Sequence, residues 1–216
     1  NTVIKDRQFV WYLAGIPFFL LLIWLVNLIS PGETIPKSDL WFQSISALTT
    51  SGFSVVDENI WPSSALFLLM AAMIVGGCKG STAGGIKINR MRTAFYVFQT
   101  FIGYMRRKPD SLFAMHGENM HQNLSPQALQ ALTMIFVWTF TLLAGVFLLS
   151  LSVERPLSEI LFEAASALSC SGLSNGITSA SMPTPAKYVL ITLMWLGRLE
   201  IIPIFAFLLS PFSSKA

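Results

Sequence analysis

Residues 9–29 run for 21 positions without a charged side chain. At about 1.5 Å of rise per residue, a helix of that length crosses a hydrocarbon core of roughly 30 Å. The run is too long for the apolar part of a signal peptide, and Pro17 is expected to kink it. Residues 124–153 form a second uncharged run, opened by Ser125 and Pro126, a good helix cap and first-turn pair. Two more apolar stretches are interrupted: residues 61–78 run into glycines, and residues 188–212 carry Arg198 and Glu200. Composition agrees with this pattern. The 216 residues are 53% hydrophobic and 12% charged, about half the ~25% charged share of a soluble domain. That excludes a disordered chain, a nucleic-acid binder and an ordinary cytosolic enzyme. Cys78 and Cys170 are too few for a disulfide scaffold. The expectation is an all-α protein embedded in a lipid membrane, with no nucleic-acid partner.

The few charges give a sidedness. Between residues 86 and 127 stand Lys87, Arg90, Arg92, Arg106, Arg107 and Lys108, against Asp110 and Glu118. Between residues 30 and 64 there is only Lys37, against Glu33, Asp39, Asp57 and Glu58. Positive charge favours the cytoplasmic side, so the 86–127 loop is expected inside and the 30–64 loop outside. Lys5 and Arg7 then place the N-terminus inside, in agreement with one crossing by the first span.

Residues 42–54, FQSISALTTSGFS, return as FEAASALSCSGLS at residues 162–174, identical at seven of thirteen positions. Pro62 and Pro183 follow them at nearly the same offset. The chain therefore reads as two copies of one unit: apolar span, short amphipathic segment, Ser/Thr-Gly loop, second apolar span. Repeated membrane units of this kind are common in transporters and channels. The short segments, residues 38–48 and their counterpart, cannot cross a membrane. Ser38 and Ser158 are expected as N-caps, with Asp39 and Glu159 in the first turn, where the helix dipole favours negative charge. A short helix and polar loop at membrane depth must be buried in protein or line a water-filled path. The negative end of the helix dipole would point inward and favour a cation.

Three candidate sites follow. Thr49, Thr50, Ser51, Gly52 and Phe53, with Ser169, Cys170, Ser171, Gly172 and Leu173, read as selectivity-filter segments. There backbone carbonyls replace an ion's hydration shell, and glycine frees the backbone to turn them inward. The plainer alternative is a turn joining two helices, which the duplication disfavours. The second site is Gly76, Gly77, Cys78, Lys79, Gly80, Ser81, Thr82, Ala83, Gly84 and Gly85. It fails the G-x-x-x-x-G-K-[ST] order of a phosphate-binding loop, and no strand precedes it. Five glycines in ten residues cannot hold a regular helix. An irregular, mobile segment just below a filter reads as a gate; the alternative is a cytoplasmic turn at a helix end. The third is Arg198, about ten residues into the last span, where insertion of a charge costs at least ~2.5 kcal/mol. It is expected to face a pore, where it would hasten ion exit, or to meet a carboxylate of another span. Glu200, two positions on, lies on another side of the helix and cannot pair with it. Cys170 reads as a small packing residue, and His116 and His121 as members of a solvated loop. No catalytic or cofactor site is expected.

These pieces together resemble the superfamily of Trk, Ktr and HKT potassium transporters over essentially the whole chain. The stretch GGCKGSTAGGIK at residues 76–87 is similar to the intramembrane loop of the third repeat of bacterial Trk-type subunits. Gly197, Arg198, Leu199 and Glu200 resemble the inner-helix signature of the fourth. The loops centred on Gly52 and Gly172 match the filter segments of the same two repeats. The resemblance implies four helix–pore-helix–helix repeats around a pseudo-fourfold, potassium-channel-like pore, of which this chain supplies half. Residues 1–108 would be the third repeat, 109–127 a cytoplasmic linker and 128–216 the fourth. The remaining two repeats would come from an N-terminal half or from a second copy. The resemblance also implies a dimer of pore subunits, a cytoplasmic nucleotide-binding regulatory ring near residues 86–108, and the plasma membrane (the inner membrane of a prokaryote). A filter glycine in each repeat goes with K+ preference, and a serine in the first goes with Na+. Lys79 and Ala83 depart from the usual small residue and glycine of the loop. Lys79 would either tighten a closed gate or snorkel to the cytoplasmic face.

The expected function is K+ transport through a gated filter pore, with K+ as the transported ion and no bound cofactor. The alternatives are a sodium-conducting relative, a non-conducting membrane subunit, and a polytopic enzyme acting on lipids. The enzyme lacks support in the sequence, because no His or carboxylate cluster repeats with the loops.

Overall fold

The computed structural model describes residues 7–29, 36–55, 61–78, 80–107 and 125–199. Among them there are seven helices and no strand. They are α1 (Arg7–Ile29), α2 (Lys37–Thr49), α3 (Ser63–Val75), α4 (Ile88–Arg107), α5 (Pro126–Ser150), α6 (Leu157–Leu168) and α7 (Thr184–Leu199). The helices α1 and α5, of 23 and 25 residues, arise from the two uncharged runs and are long and apolar enough to cross a membrane. Pro17 lies inside α1, which continues through it. At the start of α5, Ser125 Oγ accepts from the Ala128 N–H at 3.3 Å with Pro126 behind it, as the sequence predicts. Trp11, Phe18 and Leu21 of α1 and Phe136, Phe140 and Phe147 of α5 are exposed. In water such faces would be a liability; against lipid they are the proper surface.

The two short helices, α2 and α6, have 13 and 12 residues, about 18–20 Å, which does not span a bilayer. Both begin two residues earlier than the serine caps expected. Pro36 and Pro156 take the cap position with ψ of 141° and 140°. The Pro36 carbonyl accepts from the N–H groups of Asp39 and Leu40 at 3.0 and 3.1 Å; that of Pro156 accepts from Glu159 and Ile160 at 3.0 and 3.2 Å. Proline has a preset φ and no N–H to satisfy, so the helix starts directly behind it. Ser38 Oγ instead donates to Asp39 Oδ1 at 3.0 Å. Asp39 and Glu159 still occupy the first turn.

Helix α2 packs against α1 and α3, and α6 against α5 and α7. The two halves meet where α3 packs on α6 and α4 on α5. Leu40, Leu48, Leu69, Met73, Leu149, Phe162 and Leu168 form the fully buried centre. The helix α3 stops at Gly76, with φ 64° and ψ −162°, and the chain stays irregular until α4. The expected break in the glycine run is therefore present. The histidines, Glu200, Lys79, Lys108 and residues 200–216 lie outside the described residues.

Candidate functional site

The C-termini of α2 and α6 end in loops of matching backbone path. After α2, Thr50 N–H bonds the Ala47 carbonyl at 3.2 Å and Ser51 N–H bonds the Ser46 carbonyl at 3.1 Å. After α6, Cys170 N–H bonds Ala167 at 3.1 Å and Ser171 N–H bonds Ser166 at 3.0 Å. This is a Schellman closure, which needs a left-handed residue and ordinarily takes glycine there. Here the residues are Thr50 (φ 52°) and Cys170 (φ 51°), with Gly52 (φ 77°) and Gly172 (φ 85°) two positions on. A β-branched threonine at positive φ is a genuine outlier, held in place by its surroundings. Sequence reasoning gave the turn to the glycines and missed Thr50 and Cys170 as left-handed residues; propensity offered no signal for them.

The side chains tie these loops down. Thr49 is the last residue of α2, its Oγ1 donating to the Ile45 carbonyl at 2.8 Å. Ser46 Oγ lies 3.2 Å from Ser51 Oγ and donates to the Phe53 carbonyl at 2.6 Å, while the Phe53 ring is exposed. Ser169 is buried and donates to the Ala165 carbonyl at 2.7 Å. Cys170 Sγ reaches the Met194 carbonyl at 3.4 Å; Ser171 and Leu173 are buried. The two loops touch each other, since a Cβ on Gly52 would collide with the Ser171 carbonyl.

The glycine-rich loop packs against both. Its two limbs are joined by Ile86 N–H to the Ile74 carbonyl at 2.8 Å and Ile88 N–H to the Gly77 carbonyl at 3.1 Å. From this base Cys78, Gly80, Ser81, Thr82 and Ala83 form the outer bend, closed by Ser81 Oγ on the Cys78 carbonyl at 2.8 Å. On the return limb Gly84 N–H donates to Thr50 Oγ1 at 3.1 Å. The Cα of Gly84 sits so close to the Ser169 carbonyl that any Cβ would overlap it. Gly76 and Gly85 lie against each other at the base. Finally Arg198 Nη1 donates to the Thr82 carbonyl at 2.8 Å. Among the described residues, the hydrogen-bond partner of Arg198 is thus a backbone carbonyl of the loop and not the carboxylate of the alternative reading.

Two cavities meet at Arg198 and Cys170. One, of about 290 Å³, lies between the loop, α5 and α7 and is lined by Thr82, Gly84, Lys87, Trp138, Cys170 and Arg198. The other, of about 410 Å³, follows the second Ser-Gly loop past Glu163, Gly172, Ser174 and Thr178. No group of three or more His, Cys, Asp and Glu side chains fit to hold a metal ion occurs among the described residues. The oxygens on offer are carbonyls and hydroxyls, with the Glu163 carboxylate in the second cavity.

Sequence reasoning also missed Gln43 and Glu163, at the same offset in the two copies and both buried. Gln43 Nε2 donates to Ser54 Oγ at 3.0 Å. Glu163 accepts from Ser174 Oγ at 2.9 and 3.1 Å, the Asn175 N–H at 3.3 Å and Thr178 Oγ1. The signal was present in the repeat, because Ser54 and Ser174 both stand eleven residues beyond.

Comparison with known proteins places the chain. Residues 15–214 match the family described as TrkH, cation transport protein. The chain is 31% identical over 197 residues to Ktr system potassium uptake protein B of Vibrio alginolyticus, covering 87% of this chain and 41% of that protein. It is 34% identical over 166 residues to Trk system potassium uptake protein TrkH of Halomonas elongata, covering 74% and 33%. The crystal structure of the potassium transporter TrkH from Vibrio parahaemolyticus superposes with a TM-score of 0.71 at 23% identity, over 95% of this chain and 45% of that one. The chain thus spans less than half the length of these relatives, and the all-helical fold is that of a membrane transporter. The lipid-enzyme alternative is set aside, because the chain belongs to the TrkH family of cation transport proteins.

Proposed function

We propose that this chain forms half of a K+-conducting pore in the plasma membrane. The helices α1–α2–α3 and α5–α6–α7 are two helix–pore-helix–helix units, the third and fourth of a pseudo-fourfold ring. Thr49–Phe53 and Ser169–Leu173 are two quarters of the selectivity filter, and the C-terminal dipoles of α2 and α6 add negative potential there. The loop of residues 76–85 is the gate, and Arg198 both fastens it and lowers cation occupancy below the filter, which hastens exit. The other two repeats, a dimer of pores and a cytoplasmic nucleotide-binding ring complete the assembly. The N-terminus and the 86–127 segment face the cytoplasm.

One observation carries this reading. The glycine-rich loop is bonded to the first Ser-Gly loop through Thr50 and abuts the second through Ser169, while Arg198 holds its outer bend. A simple turn at a helix end has no reason to engage both halves of the chain at their polar loops. The names of the Ktr and Trk relatives, potassium uptake proteins, support K+ as the ion. The test is rubidium uptake into liposomes holding the complete polypeptide, with Na+ as competitor. Gly52→Ser is expected to raise Na+ competition by about tenfold, since a side chain at φ 77° costs roughly 1–2 kcal/mol and displaces filter carbonyls. An unchanged K+/Na+ preference would remove the filter assignment, and Na+ flux in the unsubstituted protein would favour a sodium-conducting relative.

A further inference from the structure

We infer that Glu163 is a positioning residue that sets ion selectivity by holding the second filter segment in register, a role that rests on the pore reading above. Glu163 is 3% exposed and lies in α6, facing the chain that leaves the filter after Gly172 and Leu173. A buried carboxylate is tolerated only when its oxygens are met by donors. Among the described residues no lysine or arginine pairs with Glu163. Its partners are instead Ser174 Oγ, the Asn175 N–H and Thr178 Oγ1, three residues of one five-residue stretch. Asn175 Nδ2 adds a bond to the Glu159 carbonyl at 3.1 Å, one turn earlier on the same face of α6. Hydrogen bonds to an ionised acceptor are about twice as strong as neutral ones. This charged clamp therefore fixes the exit of the second loop more firmly than the neighbouring α6 backbone could.

The first copy is built differently. Gln43 occupies the corresponding place, and its amide donates to Ser54 Oγ, the counterpart of Ser174. The direction of the bond is reversed: the hydroxyl accepts in one copy and donates in the other. Two otherwise matching loops are thus held by a neutral and by an anionic anchor. The anionic one also lines the cavity that runs past Gly172 to Arg198, so its charge acts where a cation would pass. The second quarter carries a carboxylate at this place, whereas the first carries a neutral amide.

The experiment is Glu163→Gln in the complete polypeptide in liposomes, read as the ratio of Na+ inhibition to rubidium affinity, with thermal unfolding in detergent alongside. Glutamine keeps the shape and imports the anchor of the first copy. The expected result is a shift of about tenfold toward Na+ with the unfolding midpoint little changed, and partial recovery in Glu163→Asp. Should Glu163→Gln fail to fold, Ser174→Ala removes one donor while leaving the carboxylate bonded, and is expected to shift the ratio the same way by a smaller factor. A ratio equal to that of the unsubstituted protein, or a loss of stability with no change in ratio, overturns the proposal while leaving the pore reading standing. Absence of any uptake by the folded, unsubstituted protein overturns the pore reading and this proposal together.

Discussion

The contact between Gly84 and the Ser169 carbonyl offers a sharp test of the proposed gate. Gly84 has an ordinary backbone conformation, so Gly84→Ala introduces no torsional strain; its whole effect is the methyl group driven into the Ser169 backbone. Backbone cannot swing aside as a flexible side chain can, and overpacking of this kind costs about 1–3 kcal/mol. Displacing the loop also stretches the Gly84–Thr50 bond of 3.1 Å, worth about 0.5–1.5 kcal/mol. Against this, alanine lowers the entropy of the undocked loop and returns about 0.4–1 kcal/mol. The net penalty, about 2 kcal/mol, falls on the docked position of the loop, and so shifts a closed–open equilibrium by about 30-fold toward open. Basal rubidium uptake into liposomes should rise accordingly. Gly80→Ala is the matched control. At φ 86°, with no atom within 4 Å, Gly80 would suffer strain on substitution but push on nothing. Uptake by Gly84→Ala equal to the unsubstituted protein would refute the gate reasoning. An equal rise in Gly80→Ala would show that any disturbance of the loop suffices and that the Ser169 contact is irrelevant.

Two further substitutions probe the same docking. Thr50→Val keeps the β-branched shape and the strained backbone but leaves the Gly84 N–H without its acceptor. A loss of about 1–3 kcal/mol in loop docking is expected, seen as higher basal uptake with a lowered unfolding midpoint in detergent. Arg198→Gln removes the guanidinium that reaches the Thr82 carbonyl at 2.8 Å. Uptake should rise, and Arg198→Lys should recover only part of the restraint, because an ammonium lacks the planar fork that spans this gap.

What could be read from the sequence follows from how local each feature is. The spans α1 and α5 were legible because the absence of charge over twenty or more residues leaves few other folds. The matching loops were legible because a repeat at fixed offset carries its geometry with it. The starts of α2 and α6 were misplaced by two residues, since serine and proline both signal helix beginnings and proline, standing first, decided it. The docked loop was half legible. Its glycines announce irregular backbone, but only the assembled fold reveals that Gly84 is small because a carbonyl from 85 residues further along presses on it. Glu163 was hidden in plain view: aligned with Gln43, it looks like a neutral variation, and its charge acquires meaning only from the three donors that surround it.

The placement of buried polar side chains bears on whether these loops are turns or a path. Ten polar or charged side chains are buried among the described residues: Asn27, Gln43, Ser44, Ser46, Thr50, Glu163, Ser166, Ser169, Ser171 and Asn175. Apart from Asn27, all belong to α2, α6 or the loops that follow them. Each such group costs free energy in an apolar setting unless bonded, and a turn needs only its own backbone closed. Here the closures are made twice over, by backbone and by hydroxyl: Ser44 on the Leu40 carbonyl at 2.7 Å, Ser169 on that of Ala165, Ser46 on that of Phe53. The Ser169 and Ser171 carbonyls in turn press on Gly84 and Gly52, so the loops are held against one another as well as on their own helices. That rigidity is what the proposed filter role requires, since exchange of a hydration shell needs oxygens held in place beforehand.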